Sequence, residues 1–325
     1  MFRRRFLRTS IGAGCAPLLA HGAAAQGTDY PNTTIKLIVP FAAGSATDNA
    51  ARHVADRLTK AWKVGVVVDN KPGANGFIAA QAAQQSKPDG YTIFVTSNTA
   101  MASNVAMFKS LPYDPIEGFE PISLIGYAPV FLLAHPSLEA KTLQELIALA
   151  KSKPGKLNWG AGSASTRIAG EMLRSKAGID ITYVPYRSTP LALQDLMAGH
   201  LNLSFGDPVT STPQIKAGTV RCLGVTNNGR YPLTPDIPTM IEQGLAGYEL
   251  SSWTAVFVPK GLPRPVYDKL RAEVVKAIGD PEYVETQARN GAVVRPTTPE
   301  EMRKIQLEEI RIYREIMKTA GIEPE

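Results

Sequence analysis

Short apolar runs alternate along this chain with stretches whose apolar positions recur three and four residues apart, the signature of strands followed by amphipathic helices. Ile35-Lys36-Leu37-Ile38-Val39 predicts a buried strand, and Ala51, Val54, Ala55 and Leu58 then mark one face of a helix, with Thr47 or Asp48 as the natural N-cap. Further strands are predicted at 64–68, 91–96, 181–184, 201–205 and 220–226, and helices at 77–85, 143–150, 191–198, 265–278 and 299–318. Thr142 with Glu145, and Thr298 with Pro299 and Glu301, supply helix starts. Two longer apolar segments, 124–134 and 250–258, read as crossings by which the chain leaves one lobe and returns to it. The alternation sets the class as α/β. The expected division is lobe one at 29–127 plus 248–325 and lobe two at 128–247, with a cleft between them.

A near-repeat gives that cleft a chemistry. Ala43-Gly44-Ser45-Ala46-Thr47 almost recurs as Ala161-Gly162-Ser163-Ala164-Ser165, each copy lying between a predicted strand and a predicted helix. Small residues allow close backbone approach, and the helix start beyond them offers unpaired N–H groups and a partial positive charge. Two such devices suit one small anion held between lobes.

Length and charge narrow the setting. Arg3, Arg4, Arg5 and Arg8 precede a weakly apolar run ending in Ala23-Ala24-Ala25, so residues 1–25 read as an export signal, with twin-arginine and general secretory routes both compatible. Those four arginines account for most of the formal net charge of +6, which leaves no basic surface for nucleic acid. No later stretch reaches the ~18 apolar residues of a membrane span. The expected location is the periplasm. Of the two cysteines, Cys15 falls in the signal, and Cys222 in an apolar run reads as an inert buried thiol.

The chain resembles the solute receptors of tripartite tricarboxylate transporters, also called Bug receptors. The matching segments are Val39-Pro40-Phe41-Ala42-Ala43-Gly44 with Asp48 and Arg52, Asn70-Lys71-Pro72-Gly73-Ala74-Asn75-Gly76, Pro88-Asp89-Gly90-Tyr91-Thr92, Leu111-Pro112-Tyr113-Asp114-Pro115, Val184-Pro185-Tyr186-Arg187 and Pro235-Asp236-Ile237-Pro238-Thr239. The resemblance implies a two-lobed, hinge-closing binding protein of type II-like form, a small organic carboxylate as ligand, the transporter's membrane components as partners, and a monomer. It also implies that Phe41, Ala42, Ala43, Gly44 and Ser45, with Ala161, Gly162 and Ser163, grip one carboxylate largely through backbone N–H groups. The chain departs from the family where Ser45 and Ser188 replace glycines and Arg167 replaces a histidine, so the far end of the pocket is its own.

Other residues are open to two readings. Thr47, Ser97 and Asn98 offer hydroxyl and amide donors at predicted element ends, where turn formation explains them as well. Tyr186, Arg187 and Asp207 stand at strand ends of lobe two, either touching the far end of the ligand or pairing with the scaffold. Arg167 either adds charge to the anion site or faces solvent, and Trp253 either walls the pocket or packs the hinge. No nucleophile elbow, His-Glu-x-x-His or Cys-x-x-Cys occurs, and His53, His135 and His200 are unpaired by spacing. No cofactor, metal or catalytic role is expected. The alternatives are a sensory binding module for a membrane kinase and a periplasmic enzyme on the same scaffold.

Overall fold

The computed structural model describes residues 29–325 except Pro232, Leu233 and Ala320; the export-signal reading lies outside the described residues. A first unit contains β1 (Ile35–Val39), α1 (Ala46–Trp62), β2 (Val66–Asn70), α2 (Phe77–Gln84) and β3 (Thr92–Ser97). A π-helical turn at Thr99–Ser103 and α3 (Asn104–Met107) lead to β4 (Phe119–Pro129). The second unit runs through β5 (Phe131–Ala134), α4 (Leu143–Ser152), β6 (Asn158–Ala161), α5 (Ala164–Ala177), β7 (Thr182–Pro185), α6 (Thr189–Met197), β8 (Leu203–Gly206), α7 (Pro208–Lys216) and β9 (Arg221–Val225). β10 (Ser251–Pro259), α8 (Arg264–Ile278), α9 (Pro281–Arg289), β11 (Val293–Val294) and α10 (Pro299–Thr319) close the chain.

These strands form two sheets, one ordered β11-β4-β10-β3-β1-β2 and the other β7-β6-β8-β5-β9. In the first, β1 pairs in parallel with β2 and β3, and β10 runs antiparallel to β3 and β4. In the second, β6 pairs in parallel with β7 and β8, and β5 runs antiparallel to β8 and β9. The fold is mixed α/β, two sheets flanked by helices and joined by two crossings. The apolar run 124–134, expected as a crossing, is split at Val130, with β4 in the first sheet and β5 in the second.

The split has a hydrogen-bonding cause. Val130 N–H donates to Thr226 Oγ1 at 2.9 Å, and Thr226 N–H donates to the Val130 carbonyl at 3.1 Å. Leu250 N–H donates to the Thr226 carbonyl at 3.0 Å, and the Thr226 hydroxyl donates to the Leu250 carbonyl. Fully buried Thr226 therefore satisfies both crossing segments at the point where each leaves its sheet, where an unpaired buried backbone group is costly. On the outer side α10 braces the first sheet, burying Met302, Gln306, Ile310, Tyr313 and Met317 at spacings of three and four.

Helices α3, α7 and α9 and strand β11 escape the hydrophobic pattern. Helix α7 contains Pro208 at its start, where a missing N–H costs nothing, and Pro213 in its interior, which blurs the helical signal. The two-residue β11 is too short to show alternation and exists because β4 presents an open edge to it.

Candidate functional site

Strand β1 delivers the chain into the first loop, and the helix start there is not the one expected. The N-cap of α1 is Ser45, whose hydroxyl accepts from Asp48 N–H at 3.2 Å, rather than Thr47 or Asp48. Asp48 instead turns back, accepting from Gly44 N–H at 2.9 Å, from Asn70 Nδ2 at 2.9 Å and from Arg52 Nε at 2.9 Å. Burial alone would raise the Asp48 carboxyl, but the hydrogen bonds from Arg52, Gly44 and Asn70 hold it below the usual carboxylate range. Asp48 is spent on holding the loop in shape.

The second loop arrives at the same capping from a different sequence. Ser163 caps α5 by accepting from Thr166 N–H at 3.3 Å, and the Thr166 hydroxyl accepts from Ser163 N–H at 3.1 Å. The glycines before the two caps answer different needs. Gly44 has φ of +82° and open space around a virtual Cβ, so it serves backbone conformation. A Cβ on Gly162 would lie 2.0 Å from the Ser188 carbonyl carbon and 2.1 Å from Thr189 N, so it serves close packing of the loop against the start of α6.

That packing gathers helix starts around one cavity of about 50 Å³. It is lined by Ser45, Ala46 and Thr47 at the start of α1, Ser163, Ser165 and Thr166 at the start of α5, Thr189 at the start of α6, and Asp207, the N-cap of α7. Phe41, Ser97, Val130, Ser252 and Thr254 complete the wall. The amides of Ala46, Thr47, Ser165 and Thr189 have no hydrogen-bond partner among the described residues. The Thr47 side chain, only 4% exposed, also has none. Three helix N-termini with free N–H groups, those of α1, α5 and α6, make a region of positive potential without any basic side chain, while the fourth, that of α7, is capped by Asp207. Both lobes close on it: Thr99 and Ser165 hydroxyls lie 3.3 Å apart, and the Tyr231 hydroxyl donates to the Gly291 carbonyl at 2.7 Å.

A second cavity of about 60 Å³ shares Ala46, Asp207, Ser252 and Thr254 with the first and extends along β4 and α9. Its wall includes Ala50, Ile125, Ala128, Tyr283, Val293 and Val294, with Tyr127 and Gln287 toward its rim. Tyr283 is held in place by the stacked His53 ring at 3.9 Å, and His53 Nε2 lies 2.8 Å from the Ala277 carbonyl. Asp207 is the charged residue common to both walls. Its carboxylate accepts from Thr210 N–H and the Thr210 hydroxyl, each at 3.0 Å, while burial pushes it above the usual carboxylate range.

The residues singled out from sequence divide between cavity and scaffold. Phe41, Ser45, Thr47, Ser97, Ser163 and Asp207 line the first cavity. Ala42 accepts a turn bond from Ser45 N–H, Ala43 and Gly44 face solvent, and Ala161 accepts from Tyr186 N–H at the end of β6. The Tyr186 hydroxyl donates to Asp195 at 2.6 Å, and Arg187 is exposed, so neither reaches a cavity wall. Arg167 binds Glu325 at 2.6 Å and covers the Tyr183 ring. Asn98 is a buried strut whose amide donates to Tyr313 at 2.7 Å, to Ser251 and to Glu309. Trp253 donates its indole N–H to the same Glu309, whose carboxyl burial pushes up to about 8, so it packs the hinge and walls neither cavity. Cys222 donates weakly to the Gly224 carbonyl, and burial pushes its thiol up to about 12.

Sequence reasoning missed Ala46, Ser165, Thr166, Thr189, Ser252 and Thr254 in the wall. The first three are implied by the two capped helix starts once N1 to N3 are counted. Ser188-Thr189-Pro190 carries a helix-start signal that points to Thr189. Ser252 and Thr254 alternate along β10 and carry no local mark of a site.

Known proteins place this arrangement. The description "Tripartite tricarboxylate transporter family receptor" fits residues 50–322. A UPF0065 protein of Bordetella pertussis is 36% identical over 313 residues, covering 95% of this chain and 96% of its own. The structure of R. palustris Rpa4515 with adipate superposes at a TM-score of 0.88 with 31% identity, over 91% of this chain and 100% of that one. The periplasmic binding protein BugD does so at 0.87 with 31% identity, over 91% and 100%. With the repeated loops, the two sheets and the crossings at Val130 and Leu250 all in place, the chain belongs to the tripartite tricarboxylate transporter receptor family.

Proposed function

We propose that this protein is a periplasmic receptor that closes its lobes, 29–127 plus 248–325 and 128–247, on a small organic carboxylate and presents it to the membrane components of a tripartite tricarboxylate-type transporter. The observation that carries the reading is the convergence of three helix starts, with unpaired amides of Ala46, Thr47, Ser165 and Thr189, on one cavity. Amides contributed by both lobes favour a carboxylate only when the lobes meet, so ligand binding drives closure. Adipate bound to the Rpa4515 relative supports the ligand class. The pocket-lining loop residues, Phe41, Ser45, Thr47 and Ser163, orient the carboxylate, and Ala42, Gly44, Ala161 and Gly162 hold their backbone. The reading also carries the absence of turnover: the protein delivers its ligand unchanged.

The test is a thermal-shift screen of protein stripped of ligand by denaturation and refolding, against mono-, di- and tricarboxylates and amino acids, with calorimetry on each hit. A stabilising carboxylate recovered unchanged by mass spectrometry is the expected result. Refolded protein that no carboxylate stabilises, or that consumes the one it binds, sinks the proposal.

A further inference from the structure

Both cavity walls contain the same single charged side chain, the Asp207 carboxylate. That is an awkward neighbour for a carboxylate ligand. Two anions in one small site repel, and a partly desolvated carboxylate with no cation beside it is costly. The amides around the first cavity answer the ligand's negative charge, whereas Asp207 has only the start of α7, through Thr210 and Val209, and no cation in either wall. Each of its oxygens takes one hydrogen bond from Thr210. A carboxylate has about four lone-pair sites, so capacity remains toward the cavities.

The position of Asp207 matters as much as its charge. It stands where the polar cavity meets the second one, together with Ala46, Ser252 and Thr254. On one side lie the helix starts and the free hydroxyl of Thr47. On the other lie Ile125, Ala128, Tyr283, Val293 and Val294, a wall of carbon. Volumes of about 50 and 60 Å³ compare with roughly 10–15 Å³ needed to hold one water, so each space takes about four water-sized groups.

Resting on the carboxylate-receptor reading above, we propose that the ligand is an α-amino acid with an aliphatic side chain of about leucine size. Its carboxylate meets the amides of α1, α5 and α6, its ammonium meets Asp207, and its side chain fills the second cavity. A zwitterion is neutral as a whole, so it brings to the site the one cation that the wall lacks. The α-carbon carries carboxylate, ammonium and side chain on adjacent bonds, which matches a polar space, an anion at a junction and an apolar space in that order.

The experiment is calorimetry on refolded protein with L-leucine, 4-methylpentanoate, 3-methylbutylamine, glycine and adipate. Leucine is expected to bind at least about tenfold more tightly than either compound lacking one charged group. Asp207→Asn keeps a good N-cap for α7 and is expected to erase the preference for leucine over 4-methylpentanoate. Ala128→Leu, with its fold checked by circular dichroism, is expected to shift preference from leucine toward glycine. Binding of 4-methylpentanoate or adipate to the natural protein as tightly as leucine overturns the inference while leaving the carboxylate-receptor reading intact. So does an Asp207→Asn protein that still favours leucine. Failure of every carboxylate overturns both.

Discussion

The loops after β1 and β6 are near-copies in sequence, yet they are held by different forces. In the first, a carboxylate does the work: Asp48 ties Gly44, Asn70 and the α1 helix through Arg52, and Gly44 needs its positive φ in open space. In the second, steric contact does it, because Gly162 lies against the Ser188–Thr189 backbone and Ser163 and Thr166 cap each other. The comparison teaches that small-residue repeats specify a shape, an uncovered helix start, rather than a set of contacts. Each lobe found its own way to keep that shape.

The sharpest way to break the comparison is valine at each glycine. Gly162→Val is expected to cost about 3 kcal/mol or prevent folding, since backbone atoms must move. Gly44→Val meets only left-handed strain of about 1–2 kcal/mol. Denaturant midpoints read the difference, and equal losses would mean the two glycines serve one purpose after all.

Next in size is the staple itself. Asp48→Ala leaves Asn70 and the Gly44 amide without their acceptor and is expected to cost about 2–3 kcal/mol. Thr166→Val in the second loop removes one half of a capping box and should cost about 1 kcal/mol. If the order reverses in urea titrations, the first loop does not depend on its carboxylate.

A pH series sharpens the contrast between Asp48 and Asp207, two aspartates at helix starts in opposite surroundings. The Asp48 carboxyl is held below its ordinary 3.8, so its stabilisation is present above that value and is lost as pH falls through the lower, folded value. Asp207 is pushed above 3.8, so its contribution is full below that value and is lost as pH rises through the folded one. Asp48→Asn should therefore flatten the acid loss of stability, and Asp207→Asn should remove a fall on the rising side. Parallel curves for the two variants, measured by denaturant midpoint, would show that their surroundings do not differ in effect.

The smallest effect is expected at Thr47, whose hydroxyl has no partner among the described residues and is free for a ligand. Thr47→Val should change stability by less than about 0.5 kcal/mol while weakening carboxylate binding by about 1 kcal/mol. A calorimetric affinity equal to that of the natural protein would remove Thr47 from the site.

Most of the architecture was legible in the chain. The 3.6-residue spacing at Ala51, Val54, Ala55 and Leu58 gave α1, and Thr142 with Thr298 gave two helix starts within a residue. The crossings were visible as apolar runs, because a segment buried on both faces needs no polar alternation. Prolines hid α7, and β11 was too short to carry a period. For the site, the small-residue repeat pointed to Ser45 and Ser163, but capping rules mistook the N-cap of α1, since Asp48 as N3 turns back only when Asn70 and Arg52 meet it.

What the sequence alone determined is therefore what is local: strands, helix starts, small residues before them, and a signal for two lobes. Only the tertiary structure decided which helix starts share a cavity, that Asn98 is a strut and Ser97 a wall, and that Tyr186 and Arg187 stand apart from it. The physical reason is range. Capping and periodicity act within one or two helical turns, whereas a cavity wall is made by residues as distant as Thr47, Thr189 and Thr254, whose meeting depends on sheet order and on the two crossings joined at Thr226.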